Sequence, residues 1–144
     1  MINRESLPQF IKYVCVGAFN TVVTLFVIFV CKSLFGLPPM VSNTIGYVCG
    51  LVNSFLWNKK WVFRSGGRYV SEAMRFVLGF AICYIVQFVV VWWLSYHTQL
   101  GSMMWLILGF SLSGYGVATV IGNVVYTAIN FVYNRFVSFR DDDR

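Results

Sequence analysis

The chain has 144 residues, 58% of them hydrophobic and 11% charged, with a net charge of +6. So short and apolar a chain leaves no room for a soluble catalytic domain, and no enzyme is expected. In a soluble protein such a basic excess would point to nucleic acid. Here the basic residues flank apolar runs, so membrane topology and anionic headgroups explain them, and no nucleic-acid partner is expected.

The first apolar run covers about Phe10 to Cys31. It lacks a small-residue cleavage site and reads as a retained transmembrane helix rather than a signal peptide. Gly36-Leu37-Pro38-Pro39 breaks the chain. A second span is predicted over about Met40–Trp57. A basic loop follows, with Lys59, Lys60, Arg64, Arg68 and Arg75, and a third span over about Phe76–Tyr96.

No charged residue occurs in the 59 positions between Arg75 and Arg135. From Thr98 to Asn134 there are 37 uncharged residues, punctuated by Gly101, Gly109, Gly114 and Gly116. That is too many for one span and too few for two of about 20 residues joined by a turn. The fourth span is therefore predicted over Val117 to about Phe136. Met103–Leu112 becomes a short apolar segment that does not cross, lying in the interface or dipping in as a re-entrant piece.

Ten of the eleven basic residues fall on one side of this arrangement, and only Lys32 falls on the other. The positive-inside rule then places both termini and the middle loop in the cytoplasm, in a bacterial inner membrane. Cys15, Cys31, Cys49 and Cys83 stand singly, and His97 has no ligating neighbour, so no metal or cofactor is expected. The aromatic residues, 19% of the chain, read as lipid-facing bulk and interfacial anchors. Asp141-Asp142-Asp143 reads as a solvated tail.

The halves resemble each other. Residues 44–64 read TIGYVCGLVNSFLWNKKWVFR and residues 120–140 read VIGNVVYTAINFVYNRFVSFR, with seven ungapped identities, among them Gly46/Gly122, Asn58/Asn134 and Arg64/Arg140. Lys12-Tyr13-Val14 parallels Arg75-Phe76-Val77. Each half holds two spans and so keeps the same orientation, which puts the pseudo-two-fold axis along the membrane normal. The expected fold is an all-α membrane protein of four transmembrane helices, built as two parallel two-helix repeats within one domain spanning 1–144. The repeats cover about 10–64 and 75–140, and the short non-spanning segment precedes the last helix. Small residues recur every four positions, at Ser42, Gly46, Gly50 and Ser54 and at Gly114, Ala118 and Gly122, which predicts a packing seam between the second and fourth spans.

Gly17 and Asn20-Thr21, then Asn43-x-x-Gly46-Tyr47, then Asn58-Lys59-Lys60-Trp61-Val62-Phe63 resemble the GtrA family of small four-span membrane proteins. Asn134-Arg135-Phe136-Val137-Ser138-Phe139 is a degenerate second copy of the last motif. The resemblance covers about residues 8–140. It implies translocation of an undecaprenyl-phosphate-linked monosaccharide from the cytoplasmic to the outer leaflet. There a separate membrane glycosyltransferase uses it to modify O-antigen or another envelope glycan.

That substrate asks for phosphate donors at the cytoplasmic interface and hydrogen-bonding groups within the membrane. Candidates for the phosphate are Arg64 and Arg140, at matching positions, with Lys59, Arg75, Lys12 and Arg135. Candidates for a polar path are Asn20, Thr24, Asn58, Gln87 and Asn134, while Asn123 and Asn130 read as interhelical hydrogen-bonding residues. No Asp or Glu falls within a predicted span and no Walker motif is present, so transport is expected to be passive. The competing reading is a non-transporting scaffold or accessory subunit of a polyprenyl-sugar glycosyltransferase. Four helices make a thin wall, and a homo-oligomer would frame a pathway between protomers.

Overall fold

A computed structural model describes residues 6–99, 104–107 and 110–140. The chain forms two compact units, one reaching to Arg68 and the other running from Tyr69 to Arg140. The first holds α1 (Ser6–Ser33), α2 (Pro39–Trp57) and a π-helical turn, π1 (Asn58–Val62). The second holds α3 (Tyr69–His97), strands β1 (Met104–Ile107) and β2 (Phe110–Ser113), α4 (Gly114–Tyr133) and a second π-helical turn, π2 (Asn134–Ser138).

The segments Leu7–Ser33, Tyr69–His97 and Gly114–Ser138 are long and apolar enough to cross a membrane. The second helix has the length, 19 residues and so about 28 Å. Ser42, Asn43, Thr44, Asn53 and Ser54 dilute its apolar content. Large apolar side chains face outward: Val22, Phe26, Phe29, Ile85 and Phe88 are all more than three-fifths exposed. Polar groups lie inside, among them Ser42, Asn58, Asn130, Asn134 and Ser138. This inverts the soluble pattern and suits a lipid solvent.

Two expectations need correction. The third helix starts at Tyr69, not near Phe76, so it takes in Arg75 and also Glu72, whose side chain is buried. Ser71-Glu72-Ala73-Met74-Arg75 is a good helix-forming sequence, and charge alone made it look like loop. The fold is not all-α, because the short apolar segment before the last helix is a β-hairpin, pairing Met104 with Ser113 and Ile107 with Phe110. Four-residue strands rise only about 13 Å, too little to cross a hydrocarbon core. The fold is helical apart from this hairpin.

The small residues seat each helix against its partner within a unit. A Cβ on Gly46 would run into Ile28 Cγ1 and lie 3.1 Å from the Thr24 carbonyl oxygen of α1. A Cβ on Gly50 would meet the Thr24 hydroxyl, and one on Gly122 would meet Val91 and Gln87 of α3. Within the units, these small residues of α2 face α1 and those of α4 face α3. Spacing of small residues tells that a backbone comes close, not which one.

Candidate functional site

Both second helices end in the same way. At Asn58 and at Asn134 the α-helical ladder slips to i→i−5 bonding, with Phe63 N donating to Asn58 O and Phe139 N to Asn134 O, both at 2.9 Å. Asn58 Nδ2 donates to the Ser54 carbonyl at 2.8 Å and to its hydroxyl at 3.2 Å. Asn134 Nδ2 donates to Asn130 Oδ1 at 3.1 Å, and Asn130 Nδ2 to the Tyr126 hydroxyl at 3.2 Å. The Asn130 bonds thus run along one helix, not between helices as expected. Single π turns interrupt α-helices rarely and often at functional sites. In both units the amide oxygen, Asn58 Oδ1 and Asn134 Oδ1, is buried without a hydrogen-bond partner, as is Ser138 Oγ. Such an atom typically costs about 1–3 kcal/mol.

The turn after π1 has a further feature. Arg64 has φ +51, and among the described residues no other non-glycine has positive φ. Ser65 N reaches back to Lys59 O at 3.0 Å, closing the helix end around it. The end of α1 is closed alike, by Leu37 N on Cys31 O at 3.1 Å around Gly36 at φ +62. Glycine fills that left-handed position in one cap and arginine in the other. Lys59 is buried, its Nζ donating to the Gly67 carbonyl at 2.6 Å, so its ammonium fastens the loop that carries Arg64.

The remaining basic candidates gather around aromatic pairs. Tyr13 and Phe63 meet edge-on with centroids 6.2 Å apart, which brings their chain neighbours Lys12 and Arg64 to one end of the first unit. Phe76 and Phe139 meet at 5.9 Å in the second unit and bring Arg75 and Arg140 together likewise. Lys12 Nζ sits over the Trp61 ring, 5.6 Å from its centroid, and Arg135 over Phe136 at 5.7 Å. Arg64 and Arg140 are exposed, and Lys12, Arg75 and Arg135 are half-buried. Gln9 Nε2 donates to the Val62 carbonyl at 3.2 Å, pinning π1 to α1.

The polar-path candidates pair off inside the units. Asn53 Nδ2 donates to Asn20 Oδ1 at 3.3 Å between α1 and α2, with Thr24 one turn on, against Gly50. Gln87 Nε2 donates to Asn123 Oδ1 at 2.7 Å between α3 and α4. Asn123 is thus interhelical, as expected. Sequence reasoning missed Trp57 and Trp61 as more than anchors, and Asn53 as the partner of Asn20. The four-residue spacing of Trp57 and Trp61 was the available signal.

Comparison with known proteins fits this arrangement. The chain is 24% identical over 140 residues to the cell wall teichoic acid glycosylation protein GtcA of Listeria innocua, covering 94% of this chain and 88% of the relative. It is 29% identical over 135 residues to the bactoprenol-linked glucose translocase of Shigella phage SfV, covering 94% and 98%. A prophage bactoprenol-linked glucose translocase homolog of Escherichia coli matches at 27% over 139 residues. The family model for the GtrA/DPMS transmembrane domain matches residues 12–139, from the lysine over Trp61 to the last aromatic of the second pair, and the chain belongs to that family.

Proposed function

We propose that this protein translocates a polyprenyl-phosphate-linked monosaccharide across the bacterial inner membrane, from the cytoplasmic to the outer leaflet, for modification of a cell-envelope glycan. The observation that carries the reading is the recurrence, in both units, of two basic residues flanking an aromatic pair at a π-turned helix end: Lys12 and Arg64 with Tyr13–Phe63, and Arg75 and Arg140 with Phe76–Phe139. Basic side chains brought together beside aromatic rings suit a lipid phosphate at the interface. The names of the Shigella phage and Escherichia coli relatives point the same way. Asn20, Thr24 and Asn58 in the first unit, and Gln87 and Asn134 in the second, supply hydrogen bonds for a sugar. Lys12, Arg64, Arg75, Arg135 and Arg140 address the phosphate, and Lys59 positions Arg64.

In this reading α2 crosses as well, giving four spans, the units are parallel repeats, and both termini and the basic loop lie in the cytoplasm. Arg68 is exposed on that loop. A cysteine placed there, in a background without the native cysteines, is expected to resist an impermeant reagent applied from outside until the membrane is permeabilised. Ready labelling from the periplasm would reverse the topology. Reporters fused after His97 and after Gly114 are expected to lie on the same side.

Passive transport is part of the proposal, and Glu72 is the one acidic side chain inside a helix among the described residues. In proteoliposomes of purified protein, headgroup exchange of a polyprenyl-phosphate hexose is expected without ATP. It should not change when pH and potential gradients are collapsed or when Glu72 is changed to Gln. Gradient dependence lost in Glu72→Gln would replace passive exchange by ion coupling. The GtcA name speaks of glycosylation of a cell wall polymer, and an accessory subunit of a glycosyltransferase is the second reading. No exchange by the protein alone, with exchange restored by a partner glycosyltransferase, would establish that reading.

A further inference from the structure

The first unit carries an apolar groove beside one of the phosphate candidates, Lys12. It has a volume of about 250 Å³ and is lined by Cys15, Val16 and Phe19 of α1, Trp57 at the end of α2, and Trp61 in π1. Phe19 meets Trp57 edge-on at 5.9 Å, and Trp57 meets Trp61 edge-on at 6.2 Å, so the rings form a corrugated wall rather than a flat stack. The lining is almost wholly apolar. A cation lies beside this lining: the Lys12 ammonium, over the Trp61 ring.

We propose that this groove holds the first isoprene units of a polyprenyl phosphate, with Lys12 taking the phosphate; the proposal rests on the translocase reading and gives its lipid a seat. The choice of occupant follows from connectivity and charge. A polyprenyl phosphate bears its phosphate on the first carbon of a single methyl-branched chain, so anion and chain start are adjacent. Here the cation and the groove are adjacent too, since Lys12 lies over Trp61 of the lining. A glycerophospholipid places a glycerol between its phosphate and two chains. Methyl branches also fill a corrugated aromatic wall better than a straight acyl chain does.

The second unit does not repeat the groove's wall. Matching Lys12 to Arg75 and Asn58 to Asn134 sets Val16 against Gly79, Trp57 against Tyr133 and Trp61 against Val137. The Tyr133 ring packs directly onto Gly79, its Cε1 and Cδ1 occupying the place a Cβ would take and its Cζ 3.2 Å away. The side chain matching Trp57 is therefore laid against its own helix pair, and the second indole is replaced by valine. The basic residues recur in both units, but the apolar wall beside them belongs to the first. The chain end of the lipid is thus assigned to the first unit alone.

Cys15 lines the groove and is exposed, which makes it a probe. The experiment measures alkylation of Cys15 by a membrane-permeant maleimide, with Cys31, Cys49 and Cys83 changed to Ala, in phosphatidylcholine proteoliposomes. Undecaprenyl phosphate is expected to slow alkylation roughly tenfold once present at about ten times its Kd. Equal amounts of phosphatidylglycerol or uncharged undecaprenol are expected to protect little. Trp61→Ala, Trp61→Val and Lys12→Gln are each expected to lose most of the protection, and lipid-facing Phe29→Ala to keep it. Trp61→Val guards against misfolding, since it installs the residue of the second unit. Equal rates with and without undecaprenyl phosphate, equal protection by phosphatidylglycerol, or full protection in both Trp61 variants would overturn the proposal. Protection without headgroup exchange would keep the groove and remove the translocase reading. Exchange without protection would do the reverse.

Discussion

Arg64→Gly is expected to leave the fold as stable as the parent, or more stable by about 1 kcal/mol, and to lower flux of the sugar lipid tenfold or more. The first expectation follows from φ +51 at Arg64, a conformation that glycine adopts freely and that Gly36 adopts in the equivalent cap of α1. The second follows from the proposed phosphate contact, since charge-assisted hydrogen bonds contribute roughly 1.5–3 kcal/mol. Arg64→Gln keeps the backbone cost and loses the charge, so it is expected to lose flux while its stability stays near that of the parent. Arg64→Lys restores charge without the planar fork, and partial recovery is expected. Arg68→Gln, exposed on the same loop, should change little. Flux in proteoliposomes at matched protein amount, with thermal unfolding in detergent, separates the two effects. If Arg64→Gly is stable and transports like the parent, Arg64 serves the cap alone and Lys12 becomes the leading phosphate residue.

Gly46→Leu is expected to abolish the folded first unit, where Gly17→Ala is expected to leave it intact. The Gly46 Cβ position is closed by Ile28 and by the Thr24 carbonyl oxygen at 3.1 Å, and a backbone atom cannot step aside without moving α1. Overpacking typically costs about 1–3 kcal/mol. In lipid the loss is felt fully, because close packing rather than hydrophobic burial holds helices together. Gly17 has nothing within 4 Å of its Cβ position, and alanine there should favour the helix by nearly 1 kcal/mol. Thermal unfolding and cysteine cross-linking between α1 and α2 check both. Gly46→Ala combined with Ile28→Ala is expected to recover part of the stability. Parent-like cross-linking and melting in Gly46→Leu would mean that α1 and α2 are not held at Gly46.

The helices were legible in the sequence because uninterrupted apolar stretches of about 20 residues have few other uses. Their ends were less so. Charge at Glu72 and Arg75 masked the first turns of α3, where the sequence is in fact helix-forming. The repeated Asn-basic motif was visible, but the π turn it starts was not, since a slip from i→i−4 to i→i−5 leaves no trace in composition. Arg64 stood out by position in the repeat, yet nothing in its identity told of a left-handed backbone. The groove was beyond reach for a different reason. Its wall joins Cys15, Val16 and Phe19 to Trp57 and Trp61, far apart in the chain, and only the docking of α1 on α2 makes them neighbours.

The hairpin between α3 and α4 also works as a depth gauge. A two-stranded ribbon leaves unpaired backbone groups along both outer edges, and hydrocarbon cannot satisfy them. In the proposed four-span arrangement β1 and β2 would then lie at or beyond the headgroups, with α4 entering the bilayer at Gly114, which follows β2 directly. From there its 20 residues rise about 30 Å, the thickness of the hydrocarbon core, and deliver Asn134 and Arg135 to the opposite interface. Asn123 would then fall close to the midplane, where little water is at hand to replace its bond to Gln87. A sugar crossing beside the second unit would meet that amide pair at the depth where the barrier to a hydroxylated headgroup is highest.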